Sequence, residues 1–132
     1  MEKSLILEYK SLSLAYMGDA VIELLAREKV VGDGTIHPSK LNDAAKKYVM
    51  AVNQSAAVER LLPLLTEEEQ AVYRRGRNAK TGGVPKSAKP LEYHRATGME
   101  ALFGYLFLCG EINRLKELFE TAYYEDPVRK AE

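Results

Sequence analysis

The sequence predicts an all-α fold in a single domain spanning residues 1–132. Apolar residues recur at helical spacing through each long segment, the breaks between segments are short, and no stretch alternates apolar with polar residues as a half-buried strand would. A chain of 132 residues with 46% hydrophobic content is long enough for one sizeable core and too short for two ordinary domains.

Taken in order, residues 1–10 form a short lead-in to the longest apolar segment, Leu12 to Val31. At about 100° per residue, Leu14, Met17, Val21, Leu24 and Leu25 share one face, Ala15, Ala20, Ile22 and Ala26 fill the flanks, and Asp19, Glu23 and Arg27 make a narrow polar stripe. Such a helix belongs inside the domain, with only the stripe reaching a groove or water. Ser11 or Ser13 can cap its start, and the Gly32-Asp33-Gly34 turn ends it. Pro38 suits the first turn of the next helix, in which Leu41, Ala44, Ala45 and Tyr48 point inward and Lys40, Lys46 and Lys47 outward. A further helix runs from about Asn53 to near Pro63. Thr66-Glu67-Glu68-Glu69 has the form of a capping box, with two extra carboxylates at the positive helix end. From about His94 a strongly apolar helix follows, whose Gly98 and Gly104 leave room for a neighbouring backbone. Gly110 breaks the chain, and residues 111–124 make a last amphipathic helix with Ile112, Leu115, Leu118 and Phe119 inward, followed by a frayed acidic tail.

Composition excludes little. The formal net charge is zero, so the chain as a whole has no bias toward nucleic acid or membranes, but its charges are unevenly placed. Cys109 is the single cysteine and has no partner for an internal disulfide, which fits a reducing compartment. The apolar runs stop well short of a membrane span and no leader segment is recognisable, so a soluble, cytoplasmic protein is expected.

Three features stand out from this background. From Gln70 to Leu91 there is no acidic residue, while Arg74, Arg75, Arg77, Lys80, Lys86 and Lys89 stand among glycines and prolines. The stretch at about 74–91 reads as a basic, mobile arm able to follow a phosphate backbone, or else as a solvated connector. It holds no aromatic residue between Arg74 and Leu91, so contact with the shape of a duplex fits better than base stacking. Asp19 is the second feature, a carboxylate in the middle of an apolar helix; an exposed stripe with a Glu23–Arg27 pair is the alternative. Glu100 is the third, the only charged residue between Gly98 and Cys109. Burying it requires a cation, a proton, or a partner such as His94 or Arg95.

Leu14-Ala15-Tyr16-Met17-Gly18-Asp19-Ala20-Val21, followed by Met99-Glu100-Ala101-Leu102-Phe103-Gly104-Tyr105, resembles the catalytic domain of the ribonuclease III family. Arg75-Gly76-Arg77-Asn78-Ala79-Lys80-Thr81-Gly82 looks like the hallmark of its short bacterial branch, Mini-ribonuclease III. The resemblance implies a helical endonuclease domain that works as a homodimer and cuts double-stranded RNA, without an appended double-stranded RNA-binding domain. It further implies Mg²⁺, for which Mn²⁺ can substitute, products with 5′ phosphate and 3′ hydroxyl ends, and a ribosomal RNA precursor as substrate.

Carried over by position, the family's two central acids fall on Asp19 and Glu100, the implied catalytic and metal-binding residues. The other two fall on Ala15 and Thr97, which cannot ligate as carboxylates. Two carboxylates are still enough for one Mg²⁺, which completes its shell with water and substrate phosphate oxygens. Arg74, Arg75, Arg77, Asn78, Lys80 and Lys86 are the candidate RNA contacts, and Glu23 is left without a fixed role. Neither zinc spacing, a nucleophile motif nor a phosphate-binding glycine fingerprint competes with this site. Two other functions stay open: an inactive duplex RNA-binding or ribosome-assembly factor of the same fold, and a helical protein-interaction module.

Overall fold

The structure, a computed structural model, describes residues 2–80, 83–84, 86 and 89–123. Helices α1 (Lys3–Leu7), α2 (Ser11–Asp33), α3 (Leu41–Val49), α4 (Ala51–Leu61), α5 (Glu67–Arg77), α6 (Pro90–Leu108) and α7 (Ile112–Ala122) carry the fold, and single 3-10 turns, Pro38–Lys40 and Leu62–Leu64, precede α3 and follow α4. Among the described residues there is no strand. The expected tail beyond residue 123, and residues 81, 82, 85, 87 and 88 of the expected arm, lie outside the described residues.

Helix α6 is the axis of the domain. It is apolar around most of its circumference, with buried runs from Ala96 to Met99 and from Ala101 to Leu106 interrupted only by the partly buried Glu100, as expected of a helix enclosed by its neighbours. Helices α2, α5, α4 and α7 pack around it, and α1 touches it at one end. Glycines let two of these neighbours come to backbone contact. A Cβ on Gly104 would lie 2.0 Å from the Leu14 carbonyl oxygen of α2, and one on Gly98 would lie 2.9 Å from the Tyr73 carbonyl oxygen of α5 and 2.6 Å from its ring.

That crossing also decides which side of α2 is buried. Leu14, Ala15, Gly18, Val21, Ile22, Ala26 and Val30 face the core, whereas Leu24, expected inside, is 62% exposed and Met17 and Leu25 are only partly covered. Contact at Gly18 admits small residues, so Ala15 and Ala26 turn inward and the bulkier Leu24 turns out. Helix α2 begins at Ser11 itself, with Lys10 at the N-cap and no side-chain cap, which corrects the expected serine cap. Its far end is as expected, with Gly34 left-handed at φ 76°.

The capping box at Thr66 is present in full. Thr66 Oγ1 accepts from the Glu69 amide at 3.1 Å, and Glu69 Oε1 accepts from the Thr66 amide at 2.9 Å. Glu69 is buried and is also gripped by the Arg114 guanidinium of α7, with Nε and Nη2 donating at 2.9 and 2.7 Å. Burial acts to raise its pKa, and the Arg114 and Thr66 hydrogen bonds outweigh that and hold it low. Leu115, Leu118 and Phe119 of α7 are buried as expected, but Ile112, at the first turn, is exposed. Helices α4 and α6 start earlier than their patterns suggested, at Ala51 and at Pro90, a residue pre-shaped for a first helical turn.

Candidate active site

The two isolated carboxylates meet where α2 crosses α6. A Cβ on Gly18 would lie 1.6 Å from the backbone oxygen of Glu100, so the residue before Asp19 touches the Glu100 backbone. The Asp19 and Glu100 side chains are then within hydrogen-bonding reach. Asp19 opens to solvent and Glu100 is partly buried beneath it. Burial, followed by the hydrogen bond and negative charge of Asp19, pushes the Glu100 pKa from 4.5 up to about 8. Neither His94 nor Arg95 serves Glu100. Arg95 Nη1 donates instead to Glu59 Oε1 at 2.9 Å, and His94 Nδ1 is buried with no hydrogen-bond partner among the described residues.

The pair is suited to a hard divalent cation. Two carboxylates held together at a partly enclosed position need positive charge between them, and until it arrives one keeps a proton. Their oxygens are hard donors of the kind Mg²⁺ prefers, and that ion commonly takes only one or two carboxylates along with water and phosphate. Among the described residues no group of three or more metal-ligating side chains forms. Ala15 is buried in the core, and the Thr97 hydroxyl donates to the Tyr93 carbonyl of its own helix at 3.0 Å, so neither adds a donor to the pair. Glu23, one turn beyond Asp19, accepts from Arg27 at 2.8 Å on the surface.

The three arginines are placed differently from an arm. Helix α5 continues through Arg77, so Arg74, Arg75 and Arg77 stand on its last turns, and at the other end Pro90 and Leu91 already belong to α6. Gly76 is there because a Cβ would lie 2.6 Å from that of Ala101, a packing reason and not a loop signal. Arg74 and Arg75 are exposed. Arg77 lies over the Tyr73 ring at 5.7 Å and donates to Asn78 Oδ1 at 3.1 Å. Asn78 ends the helix, and Lys80 and Lys86 are exposed beyond it.

The Ribonuclease III domain family matches residues 12–111, a span that includes both carboxylates. The chain is 50% identical to the Mini-ribonuclease 3 of Symbiobacterium thermophilum over 111 residues, covering 84% of this chain and 85% of that protein. To the Mini-ribonuclease 3 of a Thermoanaerobacter species it is 42% identical over 122 residues, covering 92% and 86%. The chain belongs to the Mini-ribonuclease III branch of the ribonuclease III family. Its fold is similar to the X-ray crystal structure of a Fusobacterium nucleatum protein, with a TM-score of 0.76 and 31% identity over 86% of this chain and 90% of that one. It is an endoribonuclease of this family. No helix among the described residues is long and apolar enough to cross a membrane.

Sequence reasoning missed the Arg114 clamp on Glu69 and the Tyr105 hydroxyl donating to Glu68. Both join residues far apart in the chain, and neither pair carries a local pattern.

Proposed function

We propose that this protein is a metal-dependent endoribonuclease that cleaves double-stranded RNA, with Asp19 and Glu100 as the catalytic, metal-binding carboxylates. The meeting of those side chains at the α2–α6 crossing is the observation that carries the reading. A divalent cation, Mg²⁺ with Mn²⁺ able to substitute, would supply Lewis-acid activation of water and charge neutralisation at the leaving 3′ oxygen. Asp19, the open member of the pair, faces the incoming phosphodiester, while Glu100 must release its proton before both can act as ligands. Arg74, Arg75, Arg77, Asn78, Lys80 and Lys86 are the RNA contacts of the proposal, and by family likeness the products end in 5′ phosphate and 3′ hydroxyl. The cytoplasm, with a ribosomal RNA precursor as substrate, is the setting that the reading favours.

The test is cleavage of a long RNA duplex by the purified protein with Mg²⁺, with excess chelator, and against single-stranded RNA. Cutting that needs both the duplex and the metal is expected. Duplex binding without cutting would instead favour the assembly-factor reading.

A homodimer belongs to the same proposal. The flank of α2 beside Asp19 carries Tyr16 at 85% exposure, with Leu24 and Val31 also exposed, an apolar band that one copy leaves in water. Two copies related by two-fold symmetry would cover this band on each other and set one Asp19–Glu100 pair toward each strand of a duplex. Light scattering is expected to give a dimer for the wild type and a monomer for the Tyr16→Glu, Leu24→Glu double variant. Both side chains are exposed, so the variant should stay folded. A wild type that is monomeric while fully active would remove the dimer from the proposal.

A further inference from the structure

The link between α1 and α2 meets the end of α5 in a cleft of about 690 Å³, lined by Lys10, Ser11, Arg74, Arg75 and Asn78 together with apolar residues and, among the described residues, by no acidic side chain. Arg75 builds it. Its Nη1 and Nη2 donate to the Leu7 and Tyr9 carbonyl oxygens at 3.2 and 3.3 Å, tying the link to the end of α5. Those acceptors are neutral, so the Arg75 charge is left uncompensated by them. The tie brings Lys10 beside Arg74, although nothing local in the sequence connects them, and both side chains are exposed.

Arginines at the end of α5 have an ordinary structural reason, since cations offset the negative end of a helix dipole. Lys10 has none. It stands at the N-cap of α2, where the dipole is positive and a cation is disfavoured. A third cation added against the local field, in a cleft with no acid among its described lining residues, suits an anionic ligand held by Lys, Arg and amide groups together.

We infer that this cleft is a phosphate-docking site for the RNA strand, with Lys10 and Ser11 as contacts additional to those of α5. The inference rests on the nuclease reading above for the identity of the strand. Ser11 and Asp19 lie on one helix, about 12 Å apart at about 1.5 Å per residue, so a phosphate held in the cleft would sit a short stretch of backbone from the carboxylates. The cleft would therefore fix where along the strand the cut falls.

The experiment compares Lys10→Gln, Arg74→Gln with a control of equal charge loss on α3, Lys46→Gln, Lys47→Gln. Duplex binding is measured against salt in an Asp19→Asn background, and KM and kcat for cleavage are measured with Asp19 intact. The cleft variant is expected to reduce the slope of log affinity against log salt by about two, one for each RNA phosphate that the variant no longer neutralises. KM should rise about tenfold with kcat little changed, and the control should move both quantities much less. An unchanged slope and KM in the cleft variant would overturn the inference, as would a control that moves them equally. The nuclease reading fails separately, if the wild type does not cut a duplex with Mg²⁺, while the salt slope still reports on the cleft.

Discussion

Asp19→Asn is expected to lower the cleavage of duplex RNA by more than about 10²-fold while leaving the fold and duplex affinity close to wild type. The amide is nearly isosteric with the carboxylate, the side chain is exposed, and the Asn Oδ1 can still accept from the protonated Glu100 carboxyl, so the change leaves the packing undisturbed. What disappears is one of the two charged ligands of the proposed site, with Ala15 in the core and the Thr97 hydroxyl committed to the Tyr93 carbonyl. Changing even a partner of a metal ligand typically costs about 10- to 100-fold, and loss of the ligand itself should cost more. Single-turnover cleavage and a gel-shift titration on one preparation separate the effects. A variant that cuts at the wild-type rate would show that Asp19 is only a surface residue of α2.

Much of this site is legible in the sequence because isolation is a local property. Glu100 stands out as the one charge between Gly98 and Cys109 and Asp19 as a carboxylate in the middle of an apolar helix, and Gly98 and Gly104 signal that a neighbouring backbone comes close. The capping box at Thr66 is legible for the same reason, since all its parts lie within four residues. What the sequence hides is rotation and distance. On a helix as apolar as α2, periodicity cannot say whether Leu24 or Ala26 faces inward; the backbone contact at Gly18 decides it. Gly76 between arginines reads as a loop until Ala101 is seen against it. The Arg114 fork on Glu69 and the Arg75 tie to Leu7 and Tyr9 connect distant segments, and no spacing rule reaches across them.

Glu100→Gln is expected to make the metal-free protein more stable at alkaline pH and to cripple it as an enzyme. Folded Glu100 has a pKa of about 8, raised first by burial and then by Asp19, against an ordinary 4.5 when the chain unfolds. Between those values the folded chain holds a proton that the unfolded chain has lost, so stability falls as pH rises from about 4.5 to about 8 and stays low above that. At about 1.4 kcal/mol per pH unit the loss amounts to a few kcal/mol. Tyr123, whose own pKa is raised by burial and further by Glu100, does not titrate in this window. The uncharged amide of Gln removes the penalty and can donate to Asp19, as the protonated carboxyl does. In EDTA the wild-type Tm should therefore drop between pH 5 and pH 9, while the variant's curve stays flatter and lies roughly 5–10 °C higher at pH 9. Adding Mg²⁺ at pH 9 should reverse the order, because a cation between two carboxylates stabilises the wild type by mass action and the variant much less. Cleavage by the variant should be slowed and should need more Mg²⁺ to reach half its maximal rate. Thermal curves that superimpose at every pH, with and without Mg²⁺, together with superimposable metal titrations, would show that the Glu100 carboxyl neither faces Asp19 nor holds a cation.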